Sequence, residues 1–137
     1  MILVDTSFFF AFFANNDEGH DRAVAALEEF EGYQLPEILV TTDIIVIETI
    51  TLARRRASHR AAAFVGEHLY NEKLARIYRT SLEEHHAAFD YFKRYDDKKY
   101  SAVDCLSFVV MEKLGIAEAL TLDSDFSHSF TVRPGRL

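Results

Sequence analysis

Four carboxylates end or interrupt the most apolar stretches of this chain, and any fold it adopts has to accommodate them. Asp5 follows Met1-Ile2-Leu3-Val4, Glu48 follows Ile44-Ile45-Val46-Ile47, Asp104 follows Ala102-Val103, and Asp123 follows Leu120-Thr121-Leu122. An ionised carboxylate in apolar surroundings persists when it is paired or binds a metal. No Lys or Arg lies within four positions of Asp5, Glu48 or Asp123, so local ion pairs do not neutralise them. A fold that gathers the four acids around a divalent cation would satisfy them together.

Hydrophobic periodicity supplies such a fold. Met1 to Asp5 reads as a short buried strand, Ile38 to Thr41 as a second after Pro36, Ala75 to Arg79 as a third and Ala119 to Leu122 as a fourth. Phe130 to Val132, before Pro134, reads as an edge strand. Helices fall between them. Ser7 to Phe13 is a short aromatic helix closed by Asn15-Asn16-Asp17, and Asp21 to Phe30 is amphipathic and closed by Gly32. Thr42 or Asp43 caps a helix that ends in Arg54-Arg55-Arg56, and Ser58 opens another that runs to about Asn71. Ser81 with Glu84 forms a capping box for a helix to about Tyr95, and Ser101 opens the last helix, closed by Gly115. Strands alternating with helices of this length predict an α/β fold around a largely parallel sheet, in one domain over residues 1–137.

In open parallel sheets, ligands bind beyond the carboxyl ends of the strands, where the strand order reverses. Asp5 and Asp123 fall at predicted carboxyl ends, Glu48 in the early turns of the helix after the second strand, and Asp104 in the first turn of its helix. All four can face one crevice. Each also has a plainer role open to it: Asp5 as a helix cap, Asp104 as the partner of Ser101 in a capping box, Asp123 as the cap of a turn through Ser124-Asp125-Phe126, and Glu48 as a solvent-exposed helical residue. Four coincident plain roles explain the pattern less well than one shared site.

The bulk numbers narrow the class. Hydrophobic residues make up 49% of the 137 and charged residues 27%, a globular balance that excludes a disordered chain. The apolar runs are too short to span a bilayer and the start carries no basic leader, which points to a cytoplasmic protein. Cys105 is alone, so no internal disulfide can form, and flanked by Asp104 and Leu106 it reads as a small core residue rather than a nucleophile, since free Cys is among the most buried types. A net charge of −7 argues against general coating of nucleic acid, although metal ions at an acidic cluster reverse the local field that a phosphate meets.

Val4-Asp5-Thr6-Ser7, Thr41-Thr42-Asp43 leading to Glu48-Thr49, Tyr100-Ser101-Ala102-Val103-Asp104 through Lys113-Leu114-Gly115-Ile116, and Leu120-Thr121-Leu122-Asp123-Ser124-Asp125-Phe126 together resemble the PIN-domain family. The nearest likeness is to the VapC-like toxins of toxin–antitoxin pairs. The order of the acids and their separations of 43, 56 and 19 residues carry the resemblance across essentially the whole chain. It implies a three-layer α/β/α sandwich around a parallel sheet, and a Mg²⁺- or Mn²⁺-dependent endoribonuclease. Asp5, Glu48, Asp104 and Asp123 then match the family's catalytic, metal-binding quartet, with Ser7, Thr6 and Asp125 as auxiliary residues. The resemblance also implies an RNA substrate, a cognate antitoxin that covers an apolar groove and blocks the acids, and a homodimer. Ser127-His128-Ser129 departs from the family by lacking a glycine often found there, which bears on the register of the last strand.

Hard oxygen donors suit Mg²⁺ or Mn²⁺ whatever the family. Other features point less sharply. The Arg54-Arg55-Arg56, His59 and Arg60 group either lines an RNA path or is a solvated helix end favoured by the macrodipole. Lys98, Lys99 and Tyr100 could meet a phosphate or a base, and the six His show no zinc spacing. Five Phe rings between Phe8 and Phe13 cannot all face one way on a short helix, which predicts surplus apolar surface for a protein partner. Two readings compete. A receiver-like signalling domain would need a phospho-acceptor Asp after the third strand, which Ile77-Tyr78-Arg79-Thr80 does not supply. A PIN-like module without catalysis, binding RNA or protein, would have no need of all four acids.

Overall fold

The computed structural model describes residues 1–16, 18–123, 126–127 and 130–133, with Arg133 described by its backbone alone. Met1 to Val4 has no helical punctuation and becomes strand β1 (Ile2–Val4), buried at all three positions. It is followed by β2 (Leu39–Thr42), β3 (Arg76–Tyr78), β4 (Glu118–Leu120) and β5 (Thr131–Arg133). These strands form one sheet in the order β3-β2-β1-β4-β5, with every pairing parallel. Strands covered on both faces read as continuous apolar runs, which is why β1 and β2 carry no polar alternation. The chain builds outward from β1 through β2 to β3, then crosses to the other side of β1 to lay down β4. The strand order therefore reverses between β1 and β4, and the crevice at their carboxyl ends is where Asp5 and Asp123 emerge.

Among the described residues, seven helices flank the sheet to complete the α/β/α sandwich: α1 (Thr6–Phe13), α2 (His20–Glu28), α3 (Leu35–Ile38), α4 (Asp43–Arg56), α5 (His59–Tyr70), α6 (Leu82–Arg94) and α7 (Ala102–Leu114). Helix α1 packs on α2 and α4, α4 on α5, and α6 on α7. Their starts are set by side chains. The hydroxyl of Thr42 accepts from the Ile45 amide at 3.1 Å and that of Ser58 from Ala61 at 3.0 Å, while Ser81 with Glu84 and Ser101 with Asp104 form complete capping boxes. Helix α7 stops at Gly115, whose φ of +69° is a left-handed conformation that a side chain would disfavour.

Two expectations need correction. The second strand does follow Pro36 but runs Leu39–Thr42 rather than from Ile38 to Thr41, because Leu35–Ile38 forms the short helix α3 with Pro36 in its first turn, where the missing N–H is no loss. The aromatic block leaves little surplus surface. Phe8 and Phe9 are fully buried, and Phe10, Phe12 and Phe13 are half-buried, because α1 has neighbours on several sides. Phe13 meets the rings of Phe64 and His68 on α5 edge-on, and Arg56 of α4 covers Phe10. The exposed large apolar side chains are elsewhere, among them Phe64, Phe89, Phe92, Leu82 and Ile47. Leu3, Leu39, Ile45, Val46, Met111, Leu120 and Phe126 join the two buried rings in the core, each such side chain contributing roughly 1.5–3 kcal/mol of burial free energy.

Candidate active site

Beyond the carboxyl ends of β1 and β4 lies a cavity of about 420 Å³, and Asp5, Glu48, Asp104 and Asp123 all line it. Thr6 and Ser7 line it too. Four acids drawn from β1–α1, α4, α7 and the segment after β4 meet there, across separations of up to 118 residues between Asp5 and Asp123 (123 minus 5). Asp125 lies outside the described residues.

Asp5 is held at three points. Its carboxylate accepts from the Ser7 hydroxyl at 2.8 Å, the Phe8 amide at 3.2 Å and the Thr121 hydroxyl at 2.7 Å. It is thus the N-cap of α1 and a wall of the cavity at once. The hydroxyls are themselves anchored. Ser7 Oγ accepts from the Leu122 amide and Thr121 Oγ1 from the Asp123 amide, both at 2.9 Å, so one network joins the start of α1 to the end of β4. Burial pushes the Asp5 carboxyl up to about 7, against the pull of its hydrogen bonds, and the charge of Asp123 adds to the rise.

Glu48 projects from the second turn of α4, where the Thr6 hydroxyl donates to its Oε1 and ties the α1 and α4 walls together. Asp104 completes the capping box of α7: its amide donates to Ser101 Oγ at 3.0 Å, and its Oδ2 accepts from the Ser101 amide at 2.9 Å. The capping role is therefore real, and it coexists with a place in the cavity wall. Burial holds the Asp104 carboxyl up at about 6, opposed by the Ser101 hydrogen bonds and reinforced by the charges of Asp123 and Glu48. Neighbouring Cys105 is fully buried and its thiol is pushed up to about 11, so it is a core residue rather than a nucleophile.

The donor set is hard oxygen. Among the described residues no His or Cys lines the cavity, which suits Mg²⁺ or Mn²⁺ and disfavours zinc. Nor do three of the described acids stand in a ready-made metal cage.

Sequence reasoning missed Thr121, Phe10 and Ser107 in this region. Thr121 is fully buried between Leu120 and Leu122 and bonded to two of the acids' groups. Its signal was available: a hydroxyl inside an apolar run that ends in an acid has to find partners. The basic cluster resolves unevenly, since Arg56 lines the cavity and Lys98, Lys99 and Tyr100 do not. Tyr100 is instead buried against Phe108, with ring centroids 5.0 Å apart.

A family model for the PIN domain matches residues 2–129. The 23S rRNA-specific endonuclease VapC20 of Mycobacterium tuberculosis, from strains CDC 1551 / Oshkosh and H37Rv, is 34% identical over 127 residues, covering 93% of this chain and 92% of that protein. The crystal structure of M. tuberculosis VapC20, described as a sarcin–ricin loop cleaving toxin, superposes with a TM-score of 0.84 at 32% identity, over 93% of this chain and 94% of the other.

Proposed function

We propose, from the premise that this chain belongs to the PIN-domain family, that it is a divalent-metal-dependent endoribonuclease and the toxin of a toxin–antitoxin pair. The observation that carries the proposal is the convergence of Asp5, Glu48, Asp104 and Asp123 on one cavity at the switch point of the sheet. Likeness to a named rRNA endonuclease over nearly the full length of both chains supports RNA as the substrate.

The four carboxylates are the catalytic, metal-holding residues in this reading. A bound Mg²⁺ or Mn²⁺ supplies positive charge against the phosphodiester and lowers the pKa of the attacking water. The chain's own part is to present fixed oxygens. Asp5 is held in one rotamer by Ser7, Thr121 and the Phe8 amide, and Glu48 by Thr6. Ser7, Thr6 and Thr121 are positioning residues, and Asp125 is placed by sequence as an auxiliary carboxylate near Asp123. The raised pKa values of Asp5 and Asp104 describe a site where burial and mutual repulsion resist full ionisation, a cost that a cation removes.

A cognate antitoxin and a homodimer complete the proposal. An apolar groove of about 190 Å³, lined by Ile44, His85, Phe89 and Leu106, shares Val103 with the acidic cavity, and so supports an inhibitor that covers both. The sarcin–ricin loop of 23S rRNA, on which the named relative acts, is the first substrate to try. Purified protein should cleave it with Mn²⁺ or Mg²⁺, lose the activity in chelator, and lose it on Asp104→Asn. Undiminished cleavage in excess chelator would refute the metal role.

A further inference from the structure

Arg56 is the one basic residue that lines the acidic cavity, among the described residues. It sits on the same helix as Glu48, eight residues on, and the wall-forming positions Ile45, Glu48, Leu52 and Arg56 recur at spacings of 3, 4 and 4, one helical stripe. At 1.5 Å per residue the Arg56 backbone stands roughly 12 Å along α4 from that of Glu48. Its guanidinium carbon lies over the Phe10 ring, 5.2 Å from the centroid. Among the described residues no ion pair engages it, although four carboxylates line the same cavity. Cation–π attraction to an aromatic face at this distance holds the guanidinium without using its N–H donors, which stay open to bidentate contact with a phosphate.

We propose that Arg56, seated on Phe10, grips a backbone phosphate of the RNA flanking the scissile one, as a substrate-positioning residue. The proposal rests on the endoribonuclease reading given above. It differs from the solvated-helix-end role that Arg54 and Arg55, which do not line the cavity, are free to play. In a chain of net charge −7, a cation at the rim of the acidic cavity also offers the incoming strand a local attraction.

The test compares wild type, Arg56→Gln, Arg56→Lys and Arg54→Gln on the sarcin–ricin RNA with Mn²⁺, measuring KM, kcat and the dependence of kcat/KM on salt. Arg56→Gln should raise KM about tenfold, with a smaller change in kcat, and flatten the log–log salt slope by roughly 0.7, the share of one single-strand phosphate contact. Arg56→Lys should recover the salt slope and part of KM, since it keeps the charge and loses the fork. Arg54→Gln removes the same charge from the same helix end and should move KM less than threefold. A merely structural role for Arg56 would lower the melting temperature without changing the salt slope, and that result overturns the proposal. Equal effects of the Arg54 and Arg56 variants overturn it too, by reducing the contribution to general charge. If wild type cleaves while Arg56→Gln is unchanged, Arg56 alone is misassigned; if wild type neither binds nor cleaves the RNA, both readings fall.

Discussion

Thr121 donates to Asp5 and accepts from the Asp123 amide, so a single buried hydroxyl holds the end of β4 against the start of α1. Replacing it by Val keeps the shape and leaves two polar groups without their partner. Loss of a residue that orients a metal-holding side chain typically costs 10- to 100-fold in activity or metal affinity, and an unsatisfied buried group costs about 1–3 kcal/mol. Thr121→Val should therefore cleave RNA roughly 10- to 100-fold more slowly and melt at a lower temperature. A wild-type rate would show that Asp5 needs no such anchoring. The acids were legible in the sequence because a charge in an apolar run is anomalous. Thr121 gave a weaker signal, a hydroxyl inside an apolar run that needs a partner, and because a lone Thr also passes as an ordinary β-former only the fold names that partner as Asp5. The plainer roles of Asp5 and Asp104 as helix caps were legible as well, and the structure shows each acid capping a helix while also lining the cavity.

At the scale of elements, Glu84 shows how one side chain joins three of them. It opens α6 through its capping box with Ser81, accepts from the Tyr78 hydroxyl on β3 at 2.6 Å, and meets Lys113 of α7 at 3.0 Å. Burial alone would raise its pKa, but the hydrogen bonds from Tyr78 and the Ser81 amide, with Lys113, hold it down at about 2, below the ordinary 4.5. A depressed carboxylate contributes stability that is fully present above its unfolded value and is lost as pH falls through its folded value. The protein should therefore lose stability between about pH 4.5 and pH 2 from this group, and Glu84→Gln should lose less over the same range. Melting temperatures of the two proteins against pH decide it, and parallel curves would assign the acid transition to other carboxylates. The capping box itself was readable from Ser81 and Glu84. Its contacts to Tyr78 and Lys113 were not, since nothing in local spacing says that α6 starts beside β3 and packs on α7. Pro36 shows the opposite limit: it is compatible with both an extended approach and a first helical turn, and packing selects the turn.

Over the whole molecule, the parallel sheet and its order place acids from distant parts of the chain in one crevice, where their charges repel, a repulsion that a bound cation would relieve. The alternation of strands and helices made this architecture legible. The aromatic block misled because a short helix can be covered on several sides, which no periodicity records. If a metal binds the assembled cavity, as proposed, and binds the unfolded chain poorly, Mn²⁺ at about 100 times its dissociation constant should stabilise the fold by roughly 2.7 kcal/mol. Asp123→Asn removes one repelling charge, so its metal-free form should melt at or above the wild-type temperature, while its rise on adding Mn²⁺ should shrink. An undiminished rise would return Asp123 to a turn-capping role.

The most direct test of the central claim is a Mn²⁺ titration in which melting temperature and RNA cleavage rate are followed on the same samples, for wild type and Asp5→Asn. If the four carboxylates hold the catalytic cation, wild-type stability and cleavage rise together with one half-saturating concentration, and Asp5→Asn shows neither rise while remaining folded. Cleavage by Asp5→Asn at a near wild-type rate, or cleavage that saturates with no gain in stability, would contradict the account.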